Sequence, residues 1–315
     1  MSAVRRAVLL AWRLHRAELV AVSAASLAIS IIWLKTAADL DAVRAQCAII
    51  GPAVAPCGGL REAGMLYTEA SQSVALMFGP MAAALPFVAG VVLGVPLAAR
   101  ELEHRTLHLA WPLARSRVRW LALHTLPVVA LGGLVLIPAA LAGEVLTRSF
   151  YPMTDPAANF EHYGIRGPLL LLRFIPAMLV GALVGLTIGR QLPALLVAGI
   201  LVAGLGAGLS VLRPFGAQPI ERAPAERPMD SLGSMYVGVV YRDADGNVMA
   251  AEDAWALMAG TEEEPDRSQL PHETFLVIPG ERLSEVVARE ACVIGLSSAG
   301  LVAMLIALAR RRRPS

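Results

Sequence analysis

Apolar residues in this chain gather into six long runs, at about residues 19–34, 73–98, 121–142, 168–188, 192–212 and 286–309, parted by short charged or polar stretches. A helix rises about 1.5 Å per residue, so some 20 apolar residues cross the roughly 30 Å of bilayer hydrocarbon. The pattern predicts an all-α membrane protein, a bundle of six transmembrane helices. The first run is slightly short and draws on what precedes it. There, Arg5, Arg6, Arg13 and Arg16 fall on one side at the helical period, with Val4, Val8, Ala11 and Leu14 opposite. This predicts an amphipathic helix over residues 2–17, lying on the cytoplasmic leaflet. As a signal peptide its positive region is too long, and no small-residue cleavage site follows the apolar run.

The expected organisation is a surface helix at 1–17, five spans within 18–212 interrupted by a charged loop at 99–120, an extracellular segment at 213–285, and a sixth span with a basic tail at 286–315. Helix-packing signals lie inside the spans. The second carries Pro80, Pro86 and Pro96, which predict kinks, and the pair Gly90 and Gly94, which offers a flat face. Gly181, Gly185 and Gly189 form a stripe on the fourth, and Gly204 and Gly208 repeat the spacing on the fifth.

Between spans, residues 35–71 form an outer loop with Cys47 and Cys57. In an oxidising compartment these close a ring worth about 3 kcal/mol; otherwise they are unpaired thiols. Cys292 reads as a small buried apolar residue. Residues 143–167 return outside with Glu144, Asp155 and Glu161. In the 213–285 segment, Glu262, Glu263, Glu264 and Asp266 make an acidic run, Tyr236 to Tyr241 reads as a strand, and Asp245-Gly246 before Val248 signals a hairpin. Asp243, Asp245 and Asn247 fail as a calcium loop because the glycine is misplaced.

Composition adds sidedness. The chain is 56% hydrophobic and 17% charged, with mean hydropathy +0.60 and a net charge of only +2 because opposite charges sort to opposite sides. Arginines crowd residues 5–16, 100–119, 190 and 310–313, and such clusters mark the cytoplasmic face. Six crossings with both termini inside the cell, in the plasma membrane, place all four together. The lipid bilayer is the expected surrounding, and no nucleic-acid partner is expected.

Several chemistries can be weighed on residue types. A phosphate-loop ATPase needs a lysine after glycine, and Lys35, the only lysine, has no glycine nearby. No cofactor is expected in this chain. A serine protease would pair Ser297 with His124, but the glycine after Gly295-Leu296-Ser297 is missing and the two lie at different depths. His104 and His108 share a helix face with Glu101, yet Arg105 stands where a zincin has glutamate, and no third ligand follows. Arg173 lies about five residues inside the fourth span and Arg289 and Glu290 near the outer start of the sixth, at similar depth, so they can pair.

The charged loop carries a resemblance. Arg100-Glu101-Leu102-Glu103, then Thr106, Pro112 and Arg115-Ser116-Arg117 before a new span resembles the cytoplasmic loop of ABC-2 type transporter permeases, where an R-E-x-E-x-G-T-like run precedes a proline and an arginine. The basic surface helix, the six-span order, and a tail with Pro279 and then Glu290 extend the likeness. The paired cysteines and the arginine bias resemble actinobacterial members. Arg105 departs from the pattern, which has glycine there.

The resemblance implies a permease subunit whose loop, through Arg100, Glu101, Glu103, Thr106 and Arg115, seats in a separate nucleotide-binding ABC ATPase. ATP and magnesium would reside in that partner. A second permease chain, identical or not, would complete the pathway, since one bundle is too small to enclose it. Export of a hydrophobic or amphipathic compound is the expected activity; a non-transporting membrane anchor or sensor using the 213–285 segment, and a membrane-embedded enzyme, are the alternatives.

Overall fold

The computed structural model describes residues 3–50, 79–104, 116–150, 155–212, 216–222, 233–243, 245–259 and 271–311. The helices are α1 (Ala3–Leu14), α2 (Arg16–Ile50), α3 (79–94), α4 (Pro96–Glu103), α5 (Arg117–Phe150), α6 (Gly167–Ile188) and α7 (Gln191–Val211). They are followed by β1 (Ile220–Arg222), β2 (Met235–Arg242), β3 (Val248–Met249), α8 (Ala251–Ala259), β4 (His272–Ile278) and α9 (Leu283–Arg311). Among the described residues, six helical stretches are long and apolar enough to cross a membrane: Arg16–Ala42, Gly79–Glu103, Arg117–Ser149, Gly167–Ile188, Gln191–Val211 and Gly280–Arg311. The predicted all-α six-span architecture is what folds.

Two boundaries differ from the hydrophobicity pattern. α2 continues to Ile50 through the start of the expected outer loop, because residues 35–50 are rich in alanine and other helix formers and free of glycine and proline. α5 likewise runs on to Phe150, where Glu144 and Arg148 pair one turn apart. The disulfide expectation lies outside the described residues: Cys57 is not described, nor is the side chain of Cys47. Cys292, expected to be buried, is exposed on α9. It lies on the side of α9 opposite the buried Glu290 and Ile294.

The chain divides into two compact units. The first comprises residues 1–150, 162–211 and 290–315, and the second 151–161 and 212–289. Within the first, lipid removes the usual hydrophobic drive for helix association, so close contact between small residues must hold the spans together. The glycine stripes supply it. A Cβ on Gly90 would stand 2.5 Å from that of Ala177, one on Gly94 would strike the Met178 carbonyl, and one on Gly185 would stand 2.5 Å from the Val95 oxygen. α3 and α6 thus touch backbone to backbone. Pro96, lacking an N–H, ends α3 and opens α4 at its N1 position, and the resulting break at Val95 is where Gly181 and Gly185 pack. Gly189 is not part of this contact; it closes α6 in the left-handed region at φ 70°. Leu19, Val22 and Trp33 of α2, Leu93 of α3, Val128 and Leu136 of α5 and Phe174 of α6 fill the core.

Burial is uneven among the spans. It covers 72% of the apolar window of α6 but only 22% of that of α7 and 11% of that of the last span. α7 and α9 therefore present most of their apolar surface outward.

In the second unit, β1, β4, β2 and β3 lie side by side in that order, all antiparallel. The expected hairpin is present: Tyr241 pairs with Met249 across a turn in which Gly246 adopts φ 84°. The Asp243 carboxylate accepts hydrogen bonds from the backbone and side chain of Asn247, which is turn chemistry. Two strands beyond the hairpin, β1 and β4, complete the sheet. Phe160 donates its N–H to the Gly233 oxygen at 2.7 Å.

Candidate coupling site

α4 is half core and half surface. Pro96, Leu97, Ala98 and Ala99 are buried, while Arg100, Glu101, Leu102 and Glu103 emerge in its last turn, which closes as the His104 N–H bonds the Arg100 oxygen at 3.1 Å. The emergent residues reach three other elements. Arg100 donates to the Leu14 oxygen at the end of α1, at 3.3 Å, and lies 3.5 Å from the Glu18 carboxylate in the first turn of α2. With Arg100 half exposed and Glu18 mostly buried, this ion pair is worth about 1 kcal/mol. Its consequence is positional.

Glu103 turns the other way. Its carboxylate accepts the backbone N–H of Gln191 at 3.1 Å. The first N–H groups of a helix lack intrahelical partners, and the side chain of Arg190, just before α7, carries only donors. Glu103 supplies the missing acceptor from another helix, at the positive end of the α7 dipole, for about 1 kcal/mol. α4 is thereby strapped to the start of span one on one side and of span five on the other. Glu101 is half buried on the same turn. Thr106 and Arg115 lie outside the described residues, as do Arg105, His108 and Pro112.

Behind Arg100, the bend between α1 and α2 buries His15, with Glu18, Arg100 and His124 as charged or titratable neighbours. Burial, partly offset by Glu18, lowers its pKa from the usual histidine value. Ala11 is buried on α1 and Leu14 is exposed; the side chains of Arg5 and Arg6 are not described. His124 stacks on Trp120, ring centroids 4.1 Å apart, and its Nδ1 lies 2.9 Å from the Trp120 oxygen. The Ser297 hydroxyl donates to the Ile294 oxygen at 3.0 Å. Each side chain is engaged on its own helix. His104 closes α4.

A second polar group is buried in the first unit. Arg173 of α6 places Nε 2.7 Å from one oxygen of Glu290 on α9, with both side chains at least 95% buried. The pairing inferred from their depth is therefore realised. Arg289 instead pairs with Glu285 at 2.5 Å. Sequence reasoning missed the rest of the group: Tyr163 donates to the other Glu290 oxygen, and the Gly164 carbonyl accepts from Arg173 Nη1 at 3.1 Å. Gly164 has φ 82°, and a side chain there would collide with the guanidinium. Nearby, Arg166 bonds Glu144 at 3.1 Å, and His162, at φ 55°, lies 3.2 Å from the Thr147 hydroxyl. A Tyr-Gly pair just before a span was the available signal, but nothing local showed that it faces Arg173.

Between α3 and α7 runs an apolar groove of about 440 Å³, lined by Phe87, Val91, Gly199, Val202 and Gly206 among others. It is open along one side, and small residues on α7 form its far wall.

A family model described as ABC-2 membrane transporter related matches residues 17–213. Neither a curated protein nor a solved structure matches. The matched stretch runs from the first turn of α2 to just past α7, so it takes in α4, its contacts with Glu18 and Gln191, and the facing glycine stripes. With well over half its length matched and six apolar spans, the chain is a multi-pass membrane protein and belongs to the ABC-2 membrane transporter related family of ABC-type permeases.

Proposed function

We propose that this chain is the membrane subunit of an ATP-driven exporter, in which a separate ABC ATPase hydrolyses ATP with magnesium and drives the bundle between inward-open and outward-open states. The observation that carries the reading is the double strapping of α4, through Arg100 to Glu18 and through Glu103 to Gln191. Displacing the loop at 99–120 would pull on spans one and five together, as coupling requires. The arginine-rich ends favour cytoplasmic termini in the plasma membrane. Two permease chains would stand side by side, and the low burial of α7 and α9 leaves surface for that pairing. The groove between α3 and α7 has an almost wholly apolar lining, which favours a hydrophobic or amphipathic substrate.

The test is copurification with an ABC ATPase, reconstitution in lipid, and a search for compounds that stimulate hydrolysis. Stimulation that vanishes with Glu103→Lys supports the reading, and failure of every ABC ATPase to associate overturns it. A membrane sensor is the second reading, favoured by the second unit forming a compact sheet of its own; stable isolation from membranes with no ATPase bound would favour it.

A further inference from the structure

We propose that Arg173, Glu290 and Tyr163 form a latch between spans four and six that is closed in this structure and opens during the transport cycle. The idea rests on the transport reading but concerns a different part of the bundle from the coupling loop.

The first observation is how α9 is attached. In its portion within the first unit, one stripe faces inward: Glu290, Ile294, Leu305 and Ala309 are buried and Ser298 and Leu301 partly so, while Gly295, Leu296 and Ser297 on the other side are exposed. Most of the stripe packs by apolar contact. Its charged end is the ion pair with Arg173 at 2.7 Å, the Tyr163 hydroxyl on the second Glu290 oxygen, and Arg173 Nη1 on the Gly164 carbonyl at 3.1 Å.

Why charge should stand there is the second point. A buried ion pair adds little stability over a well-packed apolar contact, because both groups lose their water, yet breaking it by removing one partner is costly. What it supplies is direction. Apolar contacts depend little on the orientation of the groups that make them, whereas hydrogen bonds are directional, so these three bonds fit or fail together. Nη2 of Arg173 is buried and makes no hydrogen bond among the described residues, so the guanidinium holds a donor in reserve. Once water reaches the pair, that donor and both charges are solvated together, which lowers the energy of the open state. Gly164 completes the device, since any larger residue would push the guanidinium away from Glu290.

A cysteine in place of Ile294 provides the probe. Ile294 is 2% exposed and lies one turn beyond Glu290 on the same side of α9, whereas the native Cys292 faces outward. A buried thiol reacts slowly, because the reactive thiolate needs water. Opening of the latch would wet it.

The experiment measures labelling by a membrane-impermeant maleimide of the full chain in lipid nanodiscs, with Ile294→Cys as the labelled site in a Cys292→Ser parent chain. The expected result is slow labelling of the parent chain without nucleotide, faster labelling during turnover with its ATPase, and labelling of Glu290→Gln about tenfold faster without nucleotide, the effect of weakening one charge-assisted contact. Tyr163→Phe, which removes one hydroxyl and keeps the ring, should fall between and carries the test should Glu290→Gln misfold. Labelling of both variants at the parent rate would overturn the latch. If no ATPase associates, the transport reading fails, and the nucleotide-free comparison still decides the latch.

Discussion

Gly94 and Met178 stand backbone against backbone: a Cβ built on Gly94 would strike the Met178 carbonyl oxygen, an atom that cannot swing aside. Overpacking of this kind costs roughly 1–3 kcal/mol. Gly94→Ala should lower the thermal unfolding midpoint of the purified chain, whereas Gly204→Ala, with nothing within 4 Å of the new carbon, should leave it unchanged or raise it through better helix propensity. Equal effects of the two substitutions would mean that α3 and α6 do not depend on this contact.

Reversing the charge of Glu103 tests the coupling site. Glu103→Lys places a cation at the positive end of α7 and removes the acceptor for the Gln191 N–H. Coupled ATPase stimulation should be abolished while membrane insertion, followed by protease protection, stays intact. Normal stimulation would remove Glu103 from the coupling role.

The contact between Arg100 and Glu18 separates position from stability. Because Arg100 is half exposed, Arg100→Glu should change stability by only about 1 kcal/mol. Stimulation by the ATPase should nevertheless fall, and Glu18→Arg combined with Arg100→Glu should restore part of it. A double variant no better than the single one would show that the pair does not transmit motion.

Acid should weaken the fold through His162. Burial, and secondarily Arg166, lower its pKa from 6.5 to about 4. Below pH 6.5 the unfolded chain takes up a proton that the folded chain refuses, so this contribution is whole above that pH and is lost as pH falls toward 4. The loss is at most on the order of 3 kcal/mol, trimmed by the hydrated edge of the ring. His15, also lowered by burial, acts with the same sign. His162→Asn keeps a residue tolerant of positive φ and should flatten the fall in unfolding midpoint between pH 7 and pH 5. An unchanged pH profile would assign the acid sensitivity elsewhere.

Span number and order were legible from hydrophobic run length alone, because a bilayer demands unbroken apolar helices and leaves no competing architecture. The pairing of Arg173 with Glu290 was legible too, since charges at matching depth in hydrocarbon have few alternatives. So were the packing roles of Gly90, Gly94, Gly181 and Gly185, although their partners were not. The tertiary structure alone decided that Glu103 serves Gln191, that Arg100 reaches Leu14 and Glu18, and that Tyr163 and Gly164 complete the buried group. Each of these is a contact between residues far apart in sequence and made by one or two atoms, and periodicity carries no trace of such a meeting. Hydropathy is a property of the chain against its solvent and survives in the order of residues; which helix face meets which is settled only when the spans pack.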